Sequence, residues 1–277
     1  MTSHIESRQN QNIKLVRSLS LKKHRAHLSL FVAEGLKVIA TAMENDWAPT
    51  LLLTDDAKPQ HPLAQRVLAW ASKSGAQSFT TSQTLLHSLC STENPQDMLA
   101  VFPQRWRPIR EAKPAPKGLW IALEEIRDAG NLGTIIRTAD AVGAEGIILV
   151  GECCDPYATK SVRATMGAIF SVPIVRASRA EFAELLGIWP GDRVGAHLQG
   201  KVDFRRVYRK PTLLMMGSEG NGLSQELASQ CDALIKVPMR GKSDSLNVSI
   251  ATALITYEIM RDLLPPAGAP EIGTKAL

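Results

Sequence analysis

Residues 119–150 read LWIALEEIRDAGNLGTIIRTADAVGAEGIILV. Two apolar runs, LWIAL and GIILV, bracket a stretch in which Leu132, Ile135, Ile136, Ala139 and Val142 recur at helical spacing. Strand-sized runs on either side of an amphipathic helix form the unit from which parallel sheets are built, because parallel neighbours need a long crossover. Further β-type runs follow at SVPIV, RVGAHL, TLLMMG and ALIKVP, each trailed by a loop or a helical stretch. The C-terminal part is therefore predicted to be an α/β domain with a mostly parallel sheet covered on both faces. Its last helix, expected over 247–264, carries Val248, Ile250, Ala253, Leu254, Ile255, Tyr257, Ile259 and Met260 on nearly every side. A helix that is apolar all round should be buried. In so small a domain that burial calls for a second subunit, so a homodimer is expected.

Working outward, the segment FPQRWRPIREAKPAPKG ahead of this domain has prolines and basic residues in place of any apolar period. It reads as an interdomain linker. Upstream of it, LSLFVAEG, PTLLLTDD, AQSFTT and MLAVF alternate with helical patterns over 35–45 and 63–74, the signature of a second, smaller α/β domain. The expected organisation is a small domain over 1–102, a linker over 103–118, the main domain over 119–264 and a disordered tail over 265–277.

The chain has 277 residues, 44% hydrophobic and 21% charged, in keeping with two globular domains. No apolar stretch approaches the roughly 20 residues of a membrane span, and MTSHIESRQNQNIK lacks a signal-peptide core. A cytoplasmic protein without membrane contact is expected. Cys90, Cys153, Cys154 and Cys231 show neither metal-ligand spacing nor a disulfide framework, so they read as reduced structural thiols and no metal is expected. The net charge of +5 favours a polyanionic partner. Its distribution says more, because Arg8, Lys14, Arg17, Lys22, Lys23 and Arg25 precede Leu30 against the single acid Glu6. Lys14, Arg17, Lys22, Lys23 and Arg25 are candidate phosphate contacts; the plain alternative is a solvated terminal helix.

Three segments of the main domain put glycines and polar residues just after predicted strands, where open parallel sheets bind ligands. In the first, Asn131 lies near the start of the helix, and Arg137 lies opposite its apolar stripe, where a guanidinium can fork onto a phosphate. A solvent-facing helix arginine is the alternative. In the second, LLMMGSEGNGLS, a strand enters a turn with Gly217, Gly220 and Gly222, followed by Ser224 as a candidate helix cap. Glu219 there suits either a site or a helix start. In the third, LIKVPMRGKSDSLNVS leads into the last helix, and Ser245 or Asn247 is a candidate cap. Neither the dinucleotide GxGxxG nor the phosphate-loop pattern occurs, which argues against a nicotinamide-dependent oxidoreductase.

Together the three segments resemble the SpoU (TrmH-type) RNA ribose methyltransferases of the SPOUT class. Asn131, Gly133 and Arg137 match its N…G…IRTA pattern, Gly217, Glu219 and Gly220 its glycine-rich turn, and Pro238, Met239, Ser245, Leu246 and Asn247 its PM…SLNVS signature. FVAEGLKVI in the small domain is similar to the start of the ribosomal-protein-like RNA-binding domain that many members carry.

The resemblance implies a C-terminal trefoil knot that binds S-adenosyl-L-methionine. The cofactor loops would be 197–200 with His197, Leu198 and Gly200; 216–220 with Met216, Gly217, Ser218 and Gly220; 235–239 with Ile235, Val237, Pro238 and Met239; and 245–247 with Ser245, Leu246 and Asn247. It implies methyl transfer to a ribose 2′-hydroxyl of structured RNA, 23S-type ribosomal RNA before tRNA, with Arg137, Asn131, Glu219, Ser245 and Asn247 as the catalytic set. A non-catalytic RNA-binding assembly factor is the rival from another class.

Overall fold

The computed structural model of the chain describes residues 3–56, 61–91 and 96–269. Most of the tail expected to be disordered lies outside the described residues. The N-terminal elements are β1 (Ser3–Ile5), α1 (Gln11–Ser18), α2 (Lys22–Leu28), β2 (Leu30–Glu34), α3 (Leu36–Glu44), β3 (Leu51–Asp55), α4 (Pro62–Lys73), β4 (Gln77–Thr81), α5 (Gln83–His87) and β5 (Met98–Pro103). The C-terminal ones are β6 (Leu119–Glu124), α6 (Ala129–Ala141), β7 (Gly146–Val150), α7 (Thr159–Ala164), β8 (Ile174–Ala177), α8 (Arg179–Ile188), β9 (Asp192–Ala196), β10 (Val202–Asp203), β11 (Thr212–Met216), α9 (Gln225–Ala228), β12 (Ala233–Lys236) and α10 (Val248–Met260).

Among the described residues two sheets form, one of order β1-β4-β3-β5-β2 and one of order β10-β12-β9-β11-β6-β7-β8. In the second every neighbouring pair is parallel, as its near-continuous apolar strands require. All six residues of β6 are buried, and each Leu or Ile so buried contributes about 1.5–3 kcal/mol. Strands β7 and β8 are laid down on one side of β6. The chain then crosses to β9 and returns to insert β11 between β9 and β6.

Helix α6 starts where Asp128 accepts the Asn131 amide proton at 2.8 Å, and it buries Leu132, Ile135, Ile136 and Ala139. Gly133 is there for packing: a Cβ at that position would stand 2.4 Å from the Ser161 carbonyl oxygen of α7.

The two sheets share one hydrophobic core. Phe31 and Phe102 of the small domain meet Tyr157 and Phe170 of the large one, with ring centroids 4.8 Å apart in the Phe31–Tyr157 and Phe102–Phe170 pairs. The proline-rich segment joining the sheets is anchored at several points along its first part. Arg107 donates its amide to Ile174 at 2.9 Å, Trp106 lies edge-on to Tyr157 beneath the Arg176 guanidinium, and Ala112 is buried.

One expectation needs correction. Arg25 is no phosphate contact: its side chain is 5% exposed and ion-pairs with Asp155 of the large domain at 2.8 Å. It also donates to the carbonyls of Leu19 and Ser20. A guanidinium taken out of water needs acceptors, and here they come from two domains. Lys14, Arg17, Lys22 and Lys23 are exposed. Helix α10 is not buried all round within one chain. It buries Val248, Thr252, Ile255, Thr256, Ile259 and Met260, whereas Ile250, Leu254 and Tyr257 are 43–50% exposed. Those three stand at i, i+4 and i+7, one continuous apolar stripe.

Candidate active site

The carboxyl ends of β9, β11 and β12 open into a cavity of about 520 Å³, within the range of small-molecule sites. Its walls are Ala196, His197, Leu198 and Gln199 at the end of β9 and beyond; Met216, Gly217, Ser218, Glu219, Gly220, Asn221 and Gly222 at the end of β11 and beyond; and Ile235, Lys236, Val237 and Met239 at the end of β12 and beyond. Asp244, Ser245, Leu246 and Asn247 close it together with Val248, Ala251 and Ile255 of α10.

The turn after β11 is a small closed loop. Ser218 and Gly222 exchange backbone hydrogen bonds of 3.2 and 2.9 Å, and Gly222 has φ +67°, open to glycine at no steric cost. Gly217 is required for a different reason, since a Cβ there would fall 1.9 Å from the Gly222 carbonyl carbon. Ser224 ends the turn as the cap of α9, accepting from the Leu227 amide. The loop after β9 is held by the His197 amide on the Ile235 carbonyl at 3.0 Å. Gly200 lets it pass, because a Cβ would meet Ile235 backbone at 2.8 Å. Gly200 and Pro238 therefore support or border the cavity rather than line it.

A chain of side-chain hydrogen bonds crosses the rim. Asn131 donates Nδ2 to Glu219 Oε1 at 3.0 Å, and Asn247 donates Nδ2 to Asn131 Oδ1 at 3.0 Å. Asn247 Oδ1 then caps α10 by accepting from the Ser249 amide at 2.9 Å and its hydroxyl at 2.6 Å. The carboxylate only accepts, so it fixes the orientation of both amides and gives the chain one polarity. Three segments far apart in sequence are tied together there, with α6 held at its start by Asp128. The Lys160 ammonium at 2.7 Å, and next the Asn131 amide, hold the Asp128 carboxyl below the usual range.

Arg137 and Ser245 stand apart from this chain. Ser245 is exposed on the cavity wall. Arg137 is exposed on α6, with no hydrogen bond or ion pair among the described residues, and is not on the wall of its own chain's cavity.

Sequence reasoning missed Ala196, Asn221, Gly222, Asp244, Val248, Ala251 and Ile255 as wall residues. Val248, Ala251 and Ile255 share one face of α10; their spacing was the available signal, but it was assigned to core packing. Burial pushes the Cys154 thiol up to about 12 and raises that of Cys153, so neither is a nucleophile beside the site. Among the described residues no group of three or more potential ligands fits a metal ion, and no helix is long and apolar enough to cross a membrane.

Residues 118–257 match the model of the SpoU rRNA Methylase family, and residues 10–100 that of an MRM3-like substrate binding domain. A 23S rRNA (uridine(2479)-2′-O)-methyltransferase of Streptomyces viridochromogenes is 31% identical over 88% of this chain and 86% of its own. A Bacillus subtilis 23S rRNA (guanosine(2553)-2′-O)-methyltransferase is 28% identical over 92% and 98%. The crystal structure of an AdoMet-bound rRNA methyltransferase from Sinorhizobium meliloti superposes with a TM-score of 0.89 at 39% identity, over 95% of this chain and 99% of that one. With three ordered motifs converging on one cavity and a family model covering half of its length, the chain belongs to the SpoU rRNA methylase family.

Proposed function

We propose that this protein transfers a methyl group from S-adenosyl-L-methionine to a ribose 2′-hydroxyl of structured RNA in the cytoplasm, with 23S-type ribosomal RNA as substrate. The observation that carries the reading is the Glu219–Asn131–Asn247 chain, which ties the three motifs together beside a cavity walled by the loops after β9, β11 and β12. The residues present fit the cofactor: Met216, Ile235, Leu246 and Ile255 offer apolar surface, the turn 217–222 offers backbone groups, and Glu219 and Asp244 face a ligand of net positive charge. His197, Leu198, Val237 and Met239 complete the walls.

The bound cofactor supplies a methyl on positively charged sulfur, so the chain's own residues mainly align the partners and handle one proton. Asn131, held between Glu219 and Asn247, keeps the motif loops and the target ribose in register, and Ser245 faces the same space. Arg137 grips the phosphate next to the reacting ribose and stabilises the emerging 2′-oxyanion. A guanidinium is a hydrogen-bond donor without a free acceptor lone pair, so the proton leaves to that phosphate or to water.

Because Arg137 is absent from its own chain's cavity, the site is completed in a homodimer joined through α6 and the exposed stripe of α10. Lys14, Arg17, Lys22 and Lys23 add the electrostatic grip on RNA. Insertion of β11 between β9 and β6, followed by the return of α10 onto α6, supports the trefoil path. The test is Arg137→Ala: transfer is abolished while calorimetric affinity for S-adenosyl-L-methionine stays near that of the wild type. Loss of cofactor binding instead contradicts this division of labour.

A further inference from the structure

Glu124 ends β6 with its side chain 4% exposed, next to the cavity yet outside the residues assigned so far. Burying a carboxylate is costly unless donors surround it, and two converge here. Arg179 donates to Oε1 at 2.6 Å, and the backbone amide of Ser224 donates to Oε2 at 2.7 Å. Ser224 closes the turn whose residues 217–222 form one cavity wall and whose Glu219 reaches Asn131.

Arg179 is itself fixed. It is the first residue of α8, within the capping box of Ser178 and Glu181, and it also holds Glu125 at 2.7 Å. Glu125 sits at φ +52°, a region that disfavours residues other than glycine. Local backbone of this kind persists where surrounding contacts over-determine it. The strand end, the start of α8 and the outgoing arm of the turn thus meet on one carboxylate.

We propose that Glu124, charged and oriented by Arg179, is a positioning residue of the cofactor site. It ties down the outgoing arm of the turn 217–224, so that the cavity wall and Glu219 stand where the cofactor and Asn131 require them. This rests on the methyltransferase reading for the identity of the ligand, but not for the tie itself.

The experiment compares the full-length wild type with Glu124→Gln, Glu124→Ala, Arg179→Ala and Arg179→Lys, and with Leu186→Ala as a control that weakens the core beneath α8, where Leu186 is 1% exposed. Amide hydrogen exchange over 217–224 is read without ligand, and S-adenosyl-L-methionine affinity by calorimetry. Removing a charge-assisted bond should accelerate exchange at the Ser224 amide and weaken cofactor affinity about tenfold, with the RNA KM unchanged and Arg179→Lys recovering part of what Arg179→Ala loses. Leu186→Ala should lower the melting midpoint and leave affinity intact.

Wild-type exchange and affinity in Glu124→Gln overturn the proposal, as does an equal loss of affinity in Leu186→Ala. A wild-type protein that takes no S-adenosyl-L-methionine refutes the methyltransferase reading, and the exchange data then still decide whether Glu124 holds the turn.

Discussion

Replacing Gly217 with alanine tests the architecture of the site through one methyl group. The added Cβ would stand 1.9 Å from the Gly222 carbonyl carbon and 2.0 Å from the Gly222 oxygen and the Leu223 nitrogen. Ordinary contact begins at 3.4 Å, so the returning arm of the turn must retreat by about 1.5 Å, the difference between 3.4 and 1.9. These three nearest atoms are all backbone, and no rotamer change relieves the overlap. Overpacking of this kind costs about 1–3 kcal/mol, and at this chain length each kcal/mol lowers the melting midpoint by roughly 2–4 °C.

The retreat also breaks the Ser218–Gly222 pair and carries Glu219 away from Asn131. A misplacement on the order of 1 Å costs about a hundredfold in rate. Scanning calorimetry and single-turnover methyl transfer read the two effects separately. Gly220→Ala is the internal control, because nothing lies within 4 Å of its Cβ position; its stability should stay within about 0.5 kcal/mol of the wild type. If both variants melt and turn over alike, the close approach at Gly217 is not what shapes this wall.

Arg25→Met should destabilise the fold by about 3–5 kcal/mol, because it leaves the Asp155 carboxylate, 10% exposed, without its counter-charge. Lys22→Ala with Lys23→Ala should leave the melting midpoint unchanged and flatten the salt dependence of RNA binding by roughly one unit of slope per lost phosphate contact; equal melting losses in both variants would refute this assignment. Cys231, like Cys154, is pushed up to about 12 by burial, so thiolate is scarce at neutral pH, and Ellman's reagent should label both slowly until the protein is unfolded. Leu254→Glu should yield monomers in sedimentation runs where the wild type sediments as a dimer; a wild type that is monomeric at micromolar concentration removes the dimer from the account.

The large domain was legible because its strands are short apolar runs separated by residues with helical periodicity, and because a buried parallel sheet admits little else. Tertiary partners were not legible. Arg25 and Lys23 look alike in a basic stretch, and only the fold places Asp155, 130 residues away, against one of them. Asn247 considered alone read as a helix cap by sequence, and it is both a cap and a link to Asn131. Gly217 and Gly220 belong to the same motif, but only Gly217 faces backbone too close for a side chain. The all-round apolarity of α10 was read as burial, whereas one face lines the cavity and another is the exposed stripe. Glu124 was passed over because an acid at a strand end carries no signal until its two donors are seen.

The most direct measurement is transfer of labelled methyl from S-adenosyl-L-methionine to total RNA from a strain lacking this gene, followed by mapping of alkali-resistant positions. A single labelled ribose 2′-oxygen in 23S-type ribosomal RNA, lost with Arg137→Ala, is the expected result. Label confined to tRNA contradicts the substrate assignment, and cofactor binding without any label contradicts catalysis itself.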